Sequence, residues 1–563
     1  MRPRPPTAPA VALFAAALAV AGGLLVRYHS RLTFWRDEWD FLLHRNDWSA
    51  DAILSPHIEH VAVLHTSLYS ALLHLFGMDS PRPFQLVAIA GFLLSVVLLF
   101  VYLRRRVGDW LALAGALPIL VLGPAWDDLL WPFQVAFFGS MCFGLGALLA
   151  LEREHRRGDR LACALLTGSM FTSSVGIPFA LGVGAHVLLG PDRRRRAFLV
   201  AVPLGLFGLW YLGFGRDAES SVSLHNLVTA PSYVFDGFAS SLSSLLGLAS
   251  PRDETTVSAL DWGRPLFAAA VMLGALRLRA LGWPSRWLTV VLVIAVGFWA
   301  LAALNASIFR EPTSGRYQYM GAIFCLLIAA ELLRGVRLGR PALAVVLVVF
   351  GAAALSNLNY LNRVAQSLTQ FGENQPAGLA AIELTRDRVA PDFLLTTENS
   401  DVDYLGWLDA GSYLAAADEF GSPAYTPPEL LAASEPARAA ADKVFAAALE
   451  LELEGRRGGA RTGTSSARSE EGCVELQPLA GSGAAEPTTL ELRRAEVRII
   501  AASDRGASLR LRRYASEAYP VELGELEPGE SASLAIPSDL SDEPWELELE
   551  ALRGAELCRV EPR

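Results

Sequence analysis

The densest grouping of acids, histidines and tryptophans in the chain is residues 33–60, TFWRDEWDFLLHRNDWSADAILSPHIEH, directly after an apolar run. Trp35-Arg36-Asp37-Glu38-Trp39-Asp40 sets three carboxylates and an arginine among two tryptophans, and Pro56-His57-Ile58-Glu59-His60 adds two imidazoles and another acid. Carboxylates this close cannot all ionise freely in a site shielded from water, so one of them is suited to accept a proton near neutral pH. Imidazole and carboxylate at His57, Glu59 and His60 also suit zinc or manganese. Their spacing is not the helical HExxH pattern, however, and interfacial histidines also serve simply as hydrogen-bonding groups. The plain alternative for the whole stretch is a solvated loop whose tryptophans sit at the level of lipid headgroups.

The elements that must position these residues follow from composition. With 52% hydrophobic residues, 19% charged and a mean hydropathy of +0.33 over 563 residues, the chain reads as an integral membrane protein with many helical spans. The formal charge of −10 is uneven, because arginines cluster between apolar segments while acids crowd the last third. Nucleic-acid binding has no support in this pattern. Eleven apolar segments are expected to span: 8–26, 84–103, 110–125, 132–151, a short pair at 161–170 and 175–189, 197–213, 265–281, 287–309, 317–333 and 341–355. The arginine clusters at 104–106, 153–160, 193–196, 277–286 and 334–340 then share one side. The positive-inside rule makes that side cytoplasmic, with the N-terminus, and an odd count puts the C-terminus outside.

The short pair, joined by Phe171-Thr172-Ser173-Ser174, falls below the roughly 20 residues an easy span needs. It is expected to tilt, or to dip in and return against protein around a cavity. Polar stretches 33–82, 126–131, 214–264 and 305–316 fall outside and hold Asp127, Asp128, Asp217, Glu219, His225, Asp236, Arg310, Glu311 and Arg316. An active site is therefore expected on the outer face. Residues 60–76 have apolar residues at helical spacing and read as a helix lying in the interface, since a crossing there would invert every later loop.

A hydrophobic first helix, an outward loop with the adjacent acids Asp37-Glu38, interfacial helices and about ten further spans resemble the GT-C superfamily of polyprenyl-phosphate-sugar-dependent membrane glycosyltransferases. The resemblance covers about residues 8–355. WDDLLWPFQ at 126–134 and SGRYQY at 314–319 add to it, and the nearest picture is the multispanning actinobacterial type with DEW, PHxEH and RY elements. The resemblance implies that an outward carboxylate deprotonates or orients the acceptor hydroxyl, which attacks the anomeric carbon of a lipid-phosphate sugar with inversion. Asp37 matches the base position, and Glu38 would position the acceptor or hold Asp37. The departing phosphate needs a cation, for which Arg316 and then Arg310 are the candidates, because a guanidinium fork fits phosphate oxygens. Arg316 could equally be a snorkelling interfacial residue. Tyr317, His57, Glu59, His60, Asp127 and Asp128 complete the expected substrate-binding set. Asp127-Asp128 would support a divalent cation or bind sugar hydroxyls, or form an exposed acidic turn.

The chain is thus expected to fall into a GT-C-like membrane domain (1–356), a helical extracytoplasmic segment (357–454), a flexible linker (455–470) and a β-sandwich of jelly-roll type (471–563). The last rests on runs such as LELRRAEVRII, SLRLRRYAS, SASLAIPS and WELELEAL, broken by turn residues. Cys142, Cys163 and Cys325 lie in apolar segments, whereas Cys473 and Cys558 flank the β region as a bridge in an oxidising compartment would. The expected function is transfer of a sugar from a polyprenyl-phosphate donor to an envelope glycan, lipid or protein at a bacterial plasma membrane. Two rivals stand beside it: a transporter or flippase for envelope lipids, and a catalytically silent scaffold of envelope assembly.

Overall fold

The computed structural model describes residues 8–153, 155–218, 221–252, 257–458, 473–475, 488–493, 495–501, 506–551 and 556–560. The chain forms two compact units. One comprises Met1–Ser30, Arg45–Phe76 and Arg82–Ser367; the other comprises Arg31–His44, Gly77–Pro81 and Leu368–Arg563.

Each of the eleven expected apolar segments in the first unit contains a helix. By length and composition, however, the described residues contain six helices able to cross a membrane: Ala8–His29, Arg82–Val107, Pro132–Leu151, Arg193–Gly213, Arg286–Leu304 and Arg340–Leu384. A seventh is added if Asp109–Leu120 and Gly123–Leu129, bent by 51°, count as one span. The other expected segments fall short of this standard for a physical reason. Leu260–Leu281 and Gly315–Leu332 carry charges, among them Arg264, Arg277, Arg316 and Glu331, while Gly176–Leu188 is short.

The junctions between these helices sort into two kinds. At one end Arg104 pairs with Asp109 (3.0 Å), Arg105 and Arg106 with Glu152 (2.6 and 2.7 Å), Arg106 with Glu331, and Arg196 with Asp159 (2.6 Å). There Arg286 also donates to the His186 carbonyl (2.8 Å). At the other end His29 meets the Leu129 carbonyl (2.9 Å), Gln85 donates to the His29 carbonyl (3.0 Å), and Trp210 donates to the Leu54 carbonyl (2.8 Å). The arginine clusters therefore gather opposite the acids and histidines of the loops.

Arg156–Thr172 and Gly176–Leu188 form a helical hairpin whose turn lies beside His60 and whose far ends hold Asp159 and His186 at the arginine end. The two helices have 17 and 13 residues, roughly 25 and 20 Å, and they join the two ends of the bundle. Its turn is tight: a side chain at Gly176 would collide with the backbone of Ser169 and Met170.

Two further elements qualify the outward loops. The expected interfacial helix is Val63–Phe76, preceded by a turn in which the backbones of His57 and His60 bond each other in both directions (3.0 and 2.9 Å). Within 214–264, expected as polar loop, lies a 22-residue helix, Leu224–Leu245, capped by Ser223, whose side chain accepts from the Asn226 N–H. The change to polar composition at Ser356 falls inside one continuous 45-residue helix, Arg340–Leu384.

In the second unit, helices Ala410–Phe420 and Glu435–Ala448 accompany the end of that long helix. Asp409 caps the former by accepting from the Ser412 N–H (2.8 Å). Two antiparallel sheets follow. One orders Thr488–Leu492, Trp545–Ala551, Ala507–Arg512 and Val521–Leu526; the other orders Glu454–Gly458, Glu530–Ile536, Ala495–Ile500, Glu556–Val560 and Cys473–Glu475. Ala507, Leu509 and Leu511 are buried in alternation with more exposed neighbours, the period-two pattern of a half-buried strand. Of the expected linker, residues 455–458 belong to the first strand of the second sheet, and 459–470 lie outside the described residues. Cys473 and Cys558 are opposed in register on neighbouring strands, and Cys558 is disulfide-bonded.

Candidate functional site

The candidate residues divide between the units. Asp37 and Glu38 fold with the second one, at the start of the short helix Glu38–Leu43. Arg36 takes a left-handed conformation (φ +49°), lays its guanidinium 4.1 Å from the Trp35 ring centre and pairs with Asp403 at 3.2 Å. That unusual backbone turns Asp37 toward Trp407, whose indole N–H donates to its Oδ1 (3.2 Å). Asp37 keeps 8% of its surface exposed, whereas Glu38 is fully buried and accepts the Trp35 backbone N–H (3.0 Å). Glu38 therefore braces the turn that presents Asp37. Trp39, wholly buried against Phe34 and Tyr413, anchors the helix.

In the first unit, loops far apart in sequence meet. Arg310 closes its fork on both oxygens of Glu59, one bond at 2.8 Å. His60 joins them, with Nε2 3.2 Å from Glu59 Oε1 and Nδ1 2.8 Å from the Ser174 hydroxyl. Burial, opposed by Glu59 and reinforced by Arg310, holds the His60 imidazole below its usual range, so the ring is neutral at pH 7. A neutral ring that donates from Nε2 to the carboxylate leaves Nδ1 to accept from Ser174. Burial would raise Glu59, but His60 and the Arg310 fork more than reverse this and hold its carboxyl below the usual range. The turn carrying these groups is strained, because Ile58, a β-branched residue, sits at φ +53°.

Beside this cluster Arg316 stands 3.7 Å from Asp127, which is buried with its neighbour Asp128. Neither carboxyl oxygen of Asp128 has a hydrogen-bond partner among the described residues. Isolating an ionised carboxylate in this way is costly unless it is neutral or meets a cation. Tyr317 packs edge-on against Phe298 and Trp299, and His57 against Phe133. Gln318, fully buried, accepts from Ser240 and Ser244 (3.0 and 3.2 Å) and donates to the carbonyls of Pro312 and Ser314 (3.2 and 3.1 Å). Every bonding position of its amide is thereby used, which fixes the turn between Arg310 and Arg316.

The structure therefore brings together Glu59, His60 and Arg310, and Asp127 with Arg316, while Asp37 and Glu38 form a separate arrangement with Asp403 and Trp407. Among the described residues no three His, Cys, Asp or Glu side chains come together as a metal would require. Trp407, Asp403, Gln318 and Ser174 were not among the expected site residues. Ser174 had a signal in the polar break between two short apolar runs, and Gln318 lies inside the SGRYQY element. The second unit also holds an open cleft of about 820 Å³ lined by Glu398, Lys443, Glu450 and Glu522, with a neighbour of about 610 Å³ that shares Lys443 and adds Asp401 and Tyr519. Comparison of the chain with protein-family models, with curated proteins and with solved structures finds no match.

Proposed function

We propose that the protein is a membrane glycosyltransferase of GT-C type that moves a sugar from a polyprenyl-phosphate donor to an envelope acceptor, with inversion. The observation that carries this reading is the meeting of distant loops at one end of the membrane unit. There Glu59, His60, Arg310, Asp127 and Arg316 lie among buried carboxylates and aromatic rings, opposite the arginine-rich end. An anionic lipid-linked donor needs cations at a membrane surface, and a sugar needs carboxylates and rings.

In this reading Arg316 takes the donor phosphate, since the Arg310 fork is already closed on Glu59. The base rests on the GT-C resemblance alone: Asp37 accepts the proton of the acceptor hydroxyl as its oxygen bonds to the anomeric carbon, and the carbon–phosphate-oxygen bond breaks with the electron pair leaving on the phosphate. All eleven apolar helices cross, the acid-rich end faces outward, and the two sheets of the second unit form the layers of a jelly-roll sandwich.

The test is Asp37→Asn in the full-length chain, assayed with polyprenyl-phosphate sugars. Asparagine keeps an oxygen for the Trp407 indole but cannot take a proton, so insertion should be normal and transfer should fall by about 10²–10⁴. Near-normal turnover would remove Asp37 from the mechanism, and absence of transfer in the unaltered chain across donors would favour the silent scaffold.

A further inference from the structure

The Leu224–Leu245 helix is roughly 33 Å long at 1.5 Å per residue, enough to cross a bilayer, yet its bonds show that it lies across one end of the membrane unit. Near its start Asn226 donates to the carbonyls of Leu304 and Ala306 (2.9 and 3.2 Å). At its middle the Tyr233 hydroxyl donates to the Arg310 carbonyl (2.9 Å), and Ser240 and Ser244 hold Gln318. At its end Asn357 donates to the Ser244 carbonyl (3.0 Å). Residues 304–318 and 357 belong to the acid- and histidine-rich end, so both helix termini sit there.

Its two faces are unlike. The inward one is built from Gly237, Ser240, Ser241 and Ser244, small enough for the backbone to come close to Trp299 and Gly321. The outward one carries Leu224, Leu227, Val228 and Phe235 at positions i, i+3, i+4 and i+11, one stripe of a helix. Leu224 is 77% and Val228 72% exposed. The adjoining loop adds Ile308, 78% exposed, and Phe309. Phe238 stacks on Phe267 of Leu260–Leu281 and Phe235 meets that ring edge-on, and the flank of Leu260–Leu281 exposes Val271, Met272, Leu273 and Leu276. The stripe thus continues the apolar belt of a neighbouring helix.

We propose that Leu224–Leu245 is an interfacial anchor whose apolar stripe lies among the acyl chains of the lipid leaflet at that end. Continuity with the exposed flank of Leu260–Leu281 favours lipid over a protein partner, because one solvent then covers both surfaces. The anchor bonds the Arg310 carbonyl and the amide of Gln318, so the leaflet sets the height of the segment that carries Arg310 and Arg316. This holds whether or not the protein transfers sugar.

The experiment places a nitroxide at Leu224→Cys and Val228→Cys in the full-length chain, reconstituted in phosphatidylethanolamine–phosphatidylglycerol vesicles. Val271→Cys serves as the lipid reference and Glu517→Cys, 76% exposed in the second unit, as the water reference. The signal of the chain without an added cysteine is subtracted. Positions 224 and 228 should collide severalfold more with oxygen than with a water-soluble nickel chelate, as position 271 does. Behaviour like that of position 517 would overturn the proposal. So would shielding from both reagents, which would mean that a second copy or another protein covers the stripe.

Discussion

Arg310 and Arg316 stand six residues apart with different partners. Arg310 spends its fork on Glu59 and so ties the His57–His60 turn to the loop before Gly315–Leu332. Arg316 stands 3.7 Å from Asp127 at the start of that helix. If Arg316 meets the donor phosphate, Arg316→Ala should weaken binding of a polyprenyl-phosphate sugar by roughly 10–100-fold, the scale of a charge-assisted hydrogen bond. Arg316→Lys should lose less, because a point charge keeps part of the attraction but not the fork. Equal and negligible losses in a direct binding measurement would leave Arg316 as an interface anchor. The residue types of this site were legible in the sequence, but the pairings were not. Nothing near Asp37 announces Trp407, 370 positions later, and the spacing of Glu59 to Arg310 is equally silent. Such pairs are set by which loops the helices bring together, a property of the whole unit.

Among elements, the apolar helices were legible because burial or lipid demands long hydrophobic runs, while the serine-faced helix was not. Its buried face includes Asn226, Gly237 and four serines beside Tyr233, Phe238 and Leu245, while Leu, Val and Phe side chains are exposed, so the usual polarity is weakened and the segment reads as loop. The second unit contains a junction with a measurable consequence. Asp442, fully buried on Glu435–Ala448, accepts the backbone N–H groups of Arg513, Tyr514 and Ala515 at 2.8–3.0 Å. Burial outweighs these three bonds and pushes its carboxyl up to about 6, against about 3.9 in an unfolded chain. The folded state therefore holds the extra proton between those values. The stabilisation is full below about pH 4 and is lost as pH rises through about 6, on the order of 2–3 kcal/mol. Thermal unfolding of the full-length protein in detergent should show the second unit losing stability from pH 4 to 7, and Asp442→Asn should flatten that slope. Parallel curves for the two proteins would mean that the three N–H groups hold the carboxylate ionised after all.

At the scale of the whole molecule, the first loop does not belong to the unit its position in the chain suggests. Residues 31–44 and 77–81 pack with 368–563, through Arg36 with Asp403, Asp37 with Trp407 and the Met78 N–H with the Phe420 carbonyl (2.7 Å). If this unit lies in water, as the proposed function requires, its packing keeps the acidic loop and the C-terminal region on the same side of the membrane. The cysteines bear on which side. Cys558 is disulfide-bonded and faces Cys473 in register on the neighbouring strand, and disulfides persist in oxidising compartments. A bridge between these two would close about 85 residues and stabilise the sheet by roughly 4–5 kcal/mol in the chain-entropy model. Reductant, Cys473→Ser and Cys558→Ser should then lower the unfolding temperature of the second unit alike, with no further loss when reductant is added to either variant. On intact cells, a membrane-impermeant protease should digest the C-terminal region, and an impermeant maleimide should label position 473 or 558 only after reduction. Thiols at both positions that react without reduction would remove the bridge. A C-terminal region protected from protease until the cells are opened would put it, and with it Asp37, on the cytoplasmic side, where a polyprenyl-phosphate donor presented at the outer face could not reach it.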